Sequence, residues 1–340
     1  MNIKETLIEL AKASSAPGQE YSVAPVAQKK LSEYMAVTTD NLGNVVGHRD
    51  GTGKHFLLDA HLDSIGMIVT AVEENGFLRV DKCGGIDIRT IAAQDVVVHG
   101  REDLFGVVTS IPPHLATGDG KKAAGFDEIM IDTGIDGDRI FSLVSPGDRV
   151  TFKAQYNEMA NGTLSGAYFD NKAGVCAVLR CLEILEENSC QNEITVLFSA
   201  QEEAGLVGAT AGGFNSCADE CICVDVSFAK TNATPKNITA NLGGGTMIGF
   251  APVLNYEMSR QLEALAKENN IPYQLEIMSS STGTNADVIS VSAKGKKTAL
   301  LSFPLKNMHT AVEVIDPVDI EATAQLMAKY ILTYGGADNA

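Results

Sequence analysis

Tryptophan is absent from this 340-residue chain, and aromatic residues make up only 6% of it. That argues against a polysaccharide cleft, which is walled by aromatic platforms. Basic side chains are scarce as well: 26 Lys and Arg against 43 Asp and Glu leave a formal net charge of −17. A sequence-neutral nucleic-acid binder needs the opposite balance, because its affinity comes from cations that displace phosphate counterions. No run approaches the ~18 uninterrupted apolar residues of a membrane span. The seven cysteines are an odd number without a CxxC pair, and Cys221 and Cys223 flank one residue of an apolar run, a place for buried thiols. HExxH and GxSxG are missing, and no GK[ST] follows the glycines of Asn241–Thr246. Helix-borne zincin, serine-elbow and P-loop chemistries are thereby set aside. The glycines of Asn241–Thr246 then read as a tight turn near substrate. The N-terminus interrupts its apolar positions with Lys4, Glu5, Glu9 and Lys12, which describes an amphipathic helix and not a signal peptide. With 45% hydrophobic and 20% charged residues, the chain reads as a reduced, cytoplasmic, acidic globular protein.

Two textures alternate along it. From about 40 to 63, and again from about 164 onward, short apolar strands alternate with amphipathic helices. The expected strands are Asn44–His48, His55–Ala60, Ile194–Ala200, Cys221–Ser227 and Thr298–Phe303. Helical periodicity runs through Asn171–Glu187, Glu257–Asn269 and Pro317–Tyr330. This is the pattern of an α/β fold with a largely parallel sheet. Between them, short β runs follow one another with Gly and Pro punctuation, beginning with a hairpin that turns at Glu74–Gly76. The expectation is a mixed central sheet flanked by helices, formed by residues 1–67 and 159–340, with a small β-barrel-like domain inserted at 68–158.

Five segments place acids or histidines where an apolar strand ends or a helix begins. They supply His61 and Asp63, Asp170, Glu202 and Glu203, Asp225, and His309. In an open α/β sheet such ends converge on one crevice. Taken singly, each has a plain explanation: a structural histidine, a helix N-cap at Asp170, a solvated Glu pair. Asp225 is the exception, since a lone carboxylate inside CICVDVSFA is costly unless paired or bound to metal. Together they form a nitrogen and oxygen donor set without thiolate, which suits a hydrolytic zinc, cobalt or manganese site. A carboxylate can bridge two ions about 3.5–4 Å apart. Asp287 is counted with these acids. His48, His55 and His99 are expected near strand ends at the surface, and His114 lies in a Pro/Gly-rich loop that could face the site.

The order of the segments resembles the dinuclear-metal aminopeptidases that include the tetrahedral (TET), glutamyl and deblocking enzymes. SAPGQE, DNLGN, AHLDSIG, LSG..FDNKAG, FSAQEEAGL, VDVS, GGGT and MHTAVE carry the resemblance over nearly the whole chain. It implies an aminopeptidase that hydrolyses the N-terminal peptide bond. His61 and Asp225 would hold one metal, Glu203 and His309 the other, and Asp170 would bridge them. Asp63 would orient His61 from behind, and Glu202 would be the base that activates a metal-bridging water. It also implies two divalent ions per subunit, zinc or cobalt ahead of manganese, and peptide substrates. The inserted domain would be a dimerisation module, from which a homo-oligomer up to a dodecamer is built. Some relatives carry an endoglucanase label, so a glycoside hydrolase is one rival and a non-catalytic peptide-binding relative another. The chain departs from the family's pattern at Lys306, Asn307 and Thr310, where Arg, Tyr and Ser are common, and at Asn285, where Asp is common.

Overall fold

The structure is a computed structural model that describes residues 1–112, 114, 124–232, 234–235 and 238–336. Helices α1 (Ile3–Lys12) and α2 (Val23–Leu31) lead into strands β1 (Ala36–Thr39), β2 (Val45–Arg49) and β3 (His55–His61). The chain then leaves the sheet for β4 (Gly66–Val72), β5 (Leu78–Cys83), β6 (Asp95–His99), β7 (Asp103–Val108) and β8 (Ile131–Asp132). Helix α3 (Gly137–Leu143) and β9 (Arg149–Phe152) complete this excursion. A short pair, β10 (Asn157–Glu158) and β11 (Leu164–Gly166), precedes the long helix α4 (Phe169–Glu187). After it come β12 (Glu193–Ser199), α5 (Val207–Asn215), β13 (Glu220–Phe228), β14 (Thr246–Phe250), α6 (Tyr256–Glu268) and β15 (Tyr273–Ile277). The last elements are α7 (Ala286–Ile289), β16 (Lys297–Leu305), β17 (Glu313–Ile315) and α8 (Pro317–Tyr334).

Eight strands make the central sheet in the order β1-β2-β12-β3-β13-β16-β14-β15. Its middle is parallel: β12, β3, β13 and β16 run together, while β2 runs against both its neighbours and β14 runs against β16 but with β15. Parallel strands are buried on both faces, which is why β3, β13 and β16 read as continuous apolar runs. One face packs under α4, α6 and α8 around Phe56, Leu58, Phe198, Leu262 and Tyr330. The other packs under α5 and α7 around Leu57, Leu197, Cys221, Leu300 and Ile289. Burying each such side chain contributes on the order of 1.5–3 kcal/mol. The cysteines are all free, with Cys221 and Cys223 buried.

The excursion closes on itself as a barrel of order β4-β5-β8-β7-β6-β9, antiparallel throughout. Closure removes the exposed strand edges. The turn between β4 and β5 is closed by Glu73 and Phe77 backbone pairing, with Gly76 at φ +90. Strand β10 does not join the barrel; it pairs with β11, which pairs with β17. The fold is thus a mixed α/β sheet flanked by helices, interrupted by an antiparallel six-stranded barrel. Because the barrel leaves after β3 and the chain returns at α4, both ends of the excursion lie beside His61 and Asp170.

Candidate metal centre

His61 is the last residue of β3, and Asp225 lies in the adjacent parallel strand β13. Glu202 and Glu203 follow β12, and His309 sits in the turn after β16. Asp170 enters from the start of α4, where it is not helical (ψ 110); Asn171, not Asp170, caps the helix by accepting the Gly174 N–H at 2.9 Å. Parallel register therefore brings these segments to one end of the sheet, as the crevice rule requires.

Two groups of donors result, His61–Asp170–Asp225 and Asp170–Glu203–His309, and they share Asp170. His61 Nε2 stands 3.2 Å from Asp170 Oδ1 and 3.7 Å from Asp225 Oδ1. His309 Nε2 stands 3.3 Å from Asp170 Oδ2 and 3.2 Å from Glu203 Oε1. Each oxygen of Asp170 thus faces a different imidazole, the placement a bridging carboxylate needs. Donors about 2.0–2.2 Å from a tetrahedral ion lie roughly 3.3 Å apart, so the spacing fits zinc-class ions. Asp170 Oδ1 is a buried oxygen without a hydrogen-bond partner, so it is free to ligate an ion. The rear nitrogens are also occupied: His61 Nδ1 lies 3.1 Å from the Asp63 carbonyl and His309 Nδ1 2.9 Å from the Gly85 carbonyl. A carbonyl can only accept, so both rings keep a proton behind, and Nε2 is the nitrogen that would ligate an ion.

Asp63 divides its work differently from the sequence expectation. Its carbonyl orients His61, whereas its carboxylate lies 3.5 Å from that ring and accepts the backbone N–H of Glu202 (2.9 Å) and Glu203 (3.0 Å). Glu313, an acid the sequence reading passed over, does the same for the other ligands. It accepts from the N–H of Phe169 (2.8 Å), Asp170 (3.3 Å) and His309 (3.2 Å) while fully buried. Glu20 accepts from the Gln201 N–H at 3.1 Å. Lys172, also buried, donates to Ser15 and Ser64 hydroxyls and to the Leu62 and Asp63 carbonyls. Glu20 and Glu313 stand in the quoted SAPGQE and MHTAVE runs, so their signal was visible; Gly85 offered none. Tyr168 (φ +70), Gln201 (φ +57) and His309 (φ +62) hold left-handed backbone beside the ligands. Such strain gathers where surroundings over-determine the geometry.

With no cation present, burial pushes the Glu202 carboxyl up to about 9; His61 opposes this, and Asp225, Glu203 and Asp170 add to it. Burial also raises Glu203 and Asp225. For His309 burial opposes protonation, but Asp170 and Glu203 outweigh it and lift the imidazole to about 11. His61 is raised in the same way, against burial, by Glu202, Asp170, Asp225 and Asp63. Asp170 is drawn well below the usual carboxylate range, the two imidazoles overriding its burial. Protons therefore balance this cluster when divalent ions do not.

The donors open into a cleft of about 750 Å³ that also includes Met247, Phe228, Leu275, Glu276, Ser302 and the Ser279–Thr284 stretch. Asp287 is not among the donors; it accepts from Thr282 and Gly283 and so holds that stretch in place. Asn285 is buried behind the site, donating to Asp59 (2.9 Å) and Ser199 (2.8 Å). The glycine turn at Asn241–Thr246 does not line the cleft, contrary to expectation. Gly243 and Gly245 donate to the Asp319 carboxylate instead (2.8 and 2.7 Å). Asn307 and Thr310 tie the His309 turn through the Val312 and Asn307 carbonyls. His114 is exposed, and most of its loop falls outside the described residues.

A mixed α/β fold with two candidate donor sets that share a carboxylate fits the class of metal-dependent hydrolases. Residues 43–326 match the M42 glutamyl aminopeptidase family, and the chain belongs to it. It is 31% identical to the lysyl aminopeptidase of Pyrococcus furiosus, across 87% of this chain and 86% of that one. In structure it is similar to aminopeptidase APDkam598 of Desulfurococcus kamchatkensis (26% identity, TM-score 0.90, 99% of both chains). It is also similar to the dodecamer PhTET1-12s (25% identity, TM-score 0.85, 97% and 98% covered). A Thermotoga maritima structure named endoglucanase is similar at 26% identity and a TM-score of 0.77, over 96% of each chain. The family is one of metallo-aminopeptidases, which are peptide hydrolases.

Proposed function

We propose that this chain removes N-terminal residues from peptides with two divalent ions, one held by His61 and Asp225 and one by Glu203 and His309, bridged by Asp170. The observation that carries the reading is the pair of donor sets sharing Asp170, each imidazole fixed from behind by a carbonyl. When bound, zinc, cobalt or manganese would polarise the scissile carbonyl and lower the pKa of water towards ~7. Glu202, in the cleft but outside both donor sets, takes the proton of the attacking water and returns it to the leaving amine. Nearby cations lower its raised pKa, which leaves the carboxylate ready as a base. The free α-amino group of a peptide is anchored at this charged end of the cleft; an internal bond has no such group, which favours exopeptidase action. Asp63 positions Glu202 and Glu203 and is not itself a reacting group.

Residues 68–158 serve as the dimerisation module in this reading, and the dodecameric relative supports a homo-oligomer assembled from dimers. No helix among the described residues is long and apolar enough to cross a membrane. The glycoside-hydrolase rival is disfavoured because Phe228 is the only Phe, Tyr or Trp among the described residues that line the cleft. A non-catalytic role is disfavoured because no donor is missing.

The test is Glu202→Gln, assayed on a panel of aminoacyl-amides with zinc, cobalt and manganese and a chelator control. Turnover falls by about 10²–10⁴ while the metal content stays that of the unsubstituted chain. Near-normal turnover refutes the role of Glu202. Release of reducing sugar that survives the chelator refutes the peptidase reading.

A further inference from the structure

A third group of donors lies at the opposite end of the sheet: His48, His55 and Glu193. Strand register puts them there. Glu193 is the parallel partner of His55, and Thr195 the antiparallel partner of His48. Side chains alternate along a strand, so Glu193 and Thr195 share a face, and register brings both histidines to it. It is the face whose next positions, Val46, Leu57 and Leu197, pack under α5. His55 begins the strand that His61 ends, so this group lies about 20 Å from the dinuclear centre at ~3.3 Å per residue.

The geometry repeats what the main site shows. His55 Nδ1 is 3.3 Å and His48 Nε2 3.7 Å from Glu193 Oε1, and His48 Nε2 is 3.3 Å from Asp50 Oδ1. These separations are those of donors around one tetrahedral ion. One hydroxyl serves both rings from behind: Thr195 Oγ1 lies 2.8 Å from His55 Nε2 and 3.0 Å from His48 Nδ1. A threonine oxygen has two lone pairs and can accept from both rings. That arrangement turns His55 Nδ1 and His48 Nε2 towards the carboxylates as bare lone pairs, which repel one another unless a cation lies between them. Partial exposure of the cluster leaves room for water to complete a coordination shell.

We propose that His48, His55 and Glu193, with Asp50 in reach, form a third metal site for a zinc-class divalent ion, which ties β2, β12 and β3 together at the base of the sheet. The site is independent of the dinuclear centre. The competing account is a proton shared between each ring and Glu193, and it requires no ion.

The test counts metal. Tag-free protein is stripped with chelator, dialysed against zinc, and compared with the His48→Ala/His55→Ala double variant. The expected result is one zinc fewer per chain in the variant, with peptidase activity retained. Equal zinc content in the two proteins overturns the proposal, whatever the total. Thr195→Val keeps the shape and removes the shared acceptor; it should weaken the extra ion about 10- to 100-fold, and unchanged affinity overturns the role given to Thr195. Should the double variant fail to fold, the more exposed His48→Gln reads the same difference as a weakened third ion.

Discussion

Asp63→Asn separates two ways in which a buried acid can serve a metal site. The carboxylate gives one oxygen to the Glu202 N–H and the other to the Glu203 N–H. Asparagine keeps one acceptor and points an NH₂ at the second N–H, so one charge-assisted bond is lost and a buried donor is left unpaired. Such a bond contributes about 1.5–3 kcal/mol, or roughly 10- to 150-fold in an equilibrium. The carbonyl that orients His61 belongs to the backbone and survives the substitution. The ion on the Glu203–His309 side should therefore weaken by roughly 10- to 150-fold, turnover should fall with it, and the His61–Asp225 ion should hold. Stepwise cobalt titration followed by visible absorption resolves the two affinities. Weakening confined to the His61 side, or equal on both sides, would refute this division of labour.

Three further outcomes follow from the same geometry. A Cβ at Gly85 would lie 2.7 Å from His309 Nδ1, so Gly85→Ala should displace the ring and cost about 10- to 100-fold in affinity for that ion; titration showing wild-type affinity counts against the barrel loop's role. Metal loading near neutral pH should expel protons from His309, His61 and Glu202, all raised in the metal-free state. The heat of zinc binding should then depend on the buffer's ionisation enthalpy, and apparent affinity should climb with pH; a buffer-independent heat contradicts it. The metal-free fold runs the other way. With His309 raised from 6.5 to about 11, its contribution to stability is full below about 6.5 and is lost as pH rises through the folded value.

The donors were legible because metal chemistry restricts residue type and because apolar strands advertise their ends. His61, Asp225 and the Glu202–Glu203 pair each interrupt or follow a continuous apolar run, and parallel pairing then decides their neighbours. What positions them was less legible. Asp63 lies two residues after His61, which suggested that its carboxylate served that ring; only the path of the Glu202 and Glu203 backbone shows that the carboxylate, 3.5 Å from the ring, also accepts their two N–H groups. Gly85 contributes a carbonyl, and any residue has one, so no side-chain pattern could reveal it. The glycine turn at 241–246 misled for a related reason: glycines mark close approach of backbone to something, and here that is Asp319 and the Pro272 carbonyl, 2.0 Å from where a Gly245 Cβ would stand.

The insertion point of the barrel acquires a physical meaning from these contacts. An excursion that leaves after the strand ending in His61 and returns before Asp170 begins and ends at the site. The loop beyond β5 reaches back over it: Gly85 accepts from His309, and a Cβ on Gly84 would stand 3.0 Å from Glu203 Oε2. Gly84, at φ +83, holds a conformation that a side chain would strain. In the proposed arrangement the second ion would be held by Glu203 after the central strand β12 and by a histidine that the barrel orients, whereas the first would draw on β3, β13 and the shared Asp170, with no donor oriented by the barrel. On that proposal a shift of the barrel relative to the sheet acts on the Glu203–His309 donor pair first, because the Gly85 carbonyl orients His309 and no barrel group orients His61.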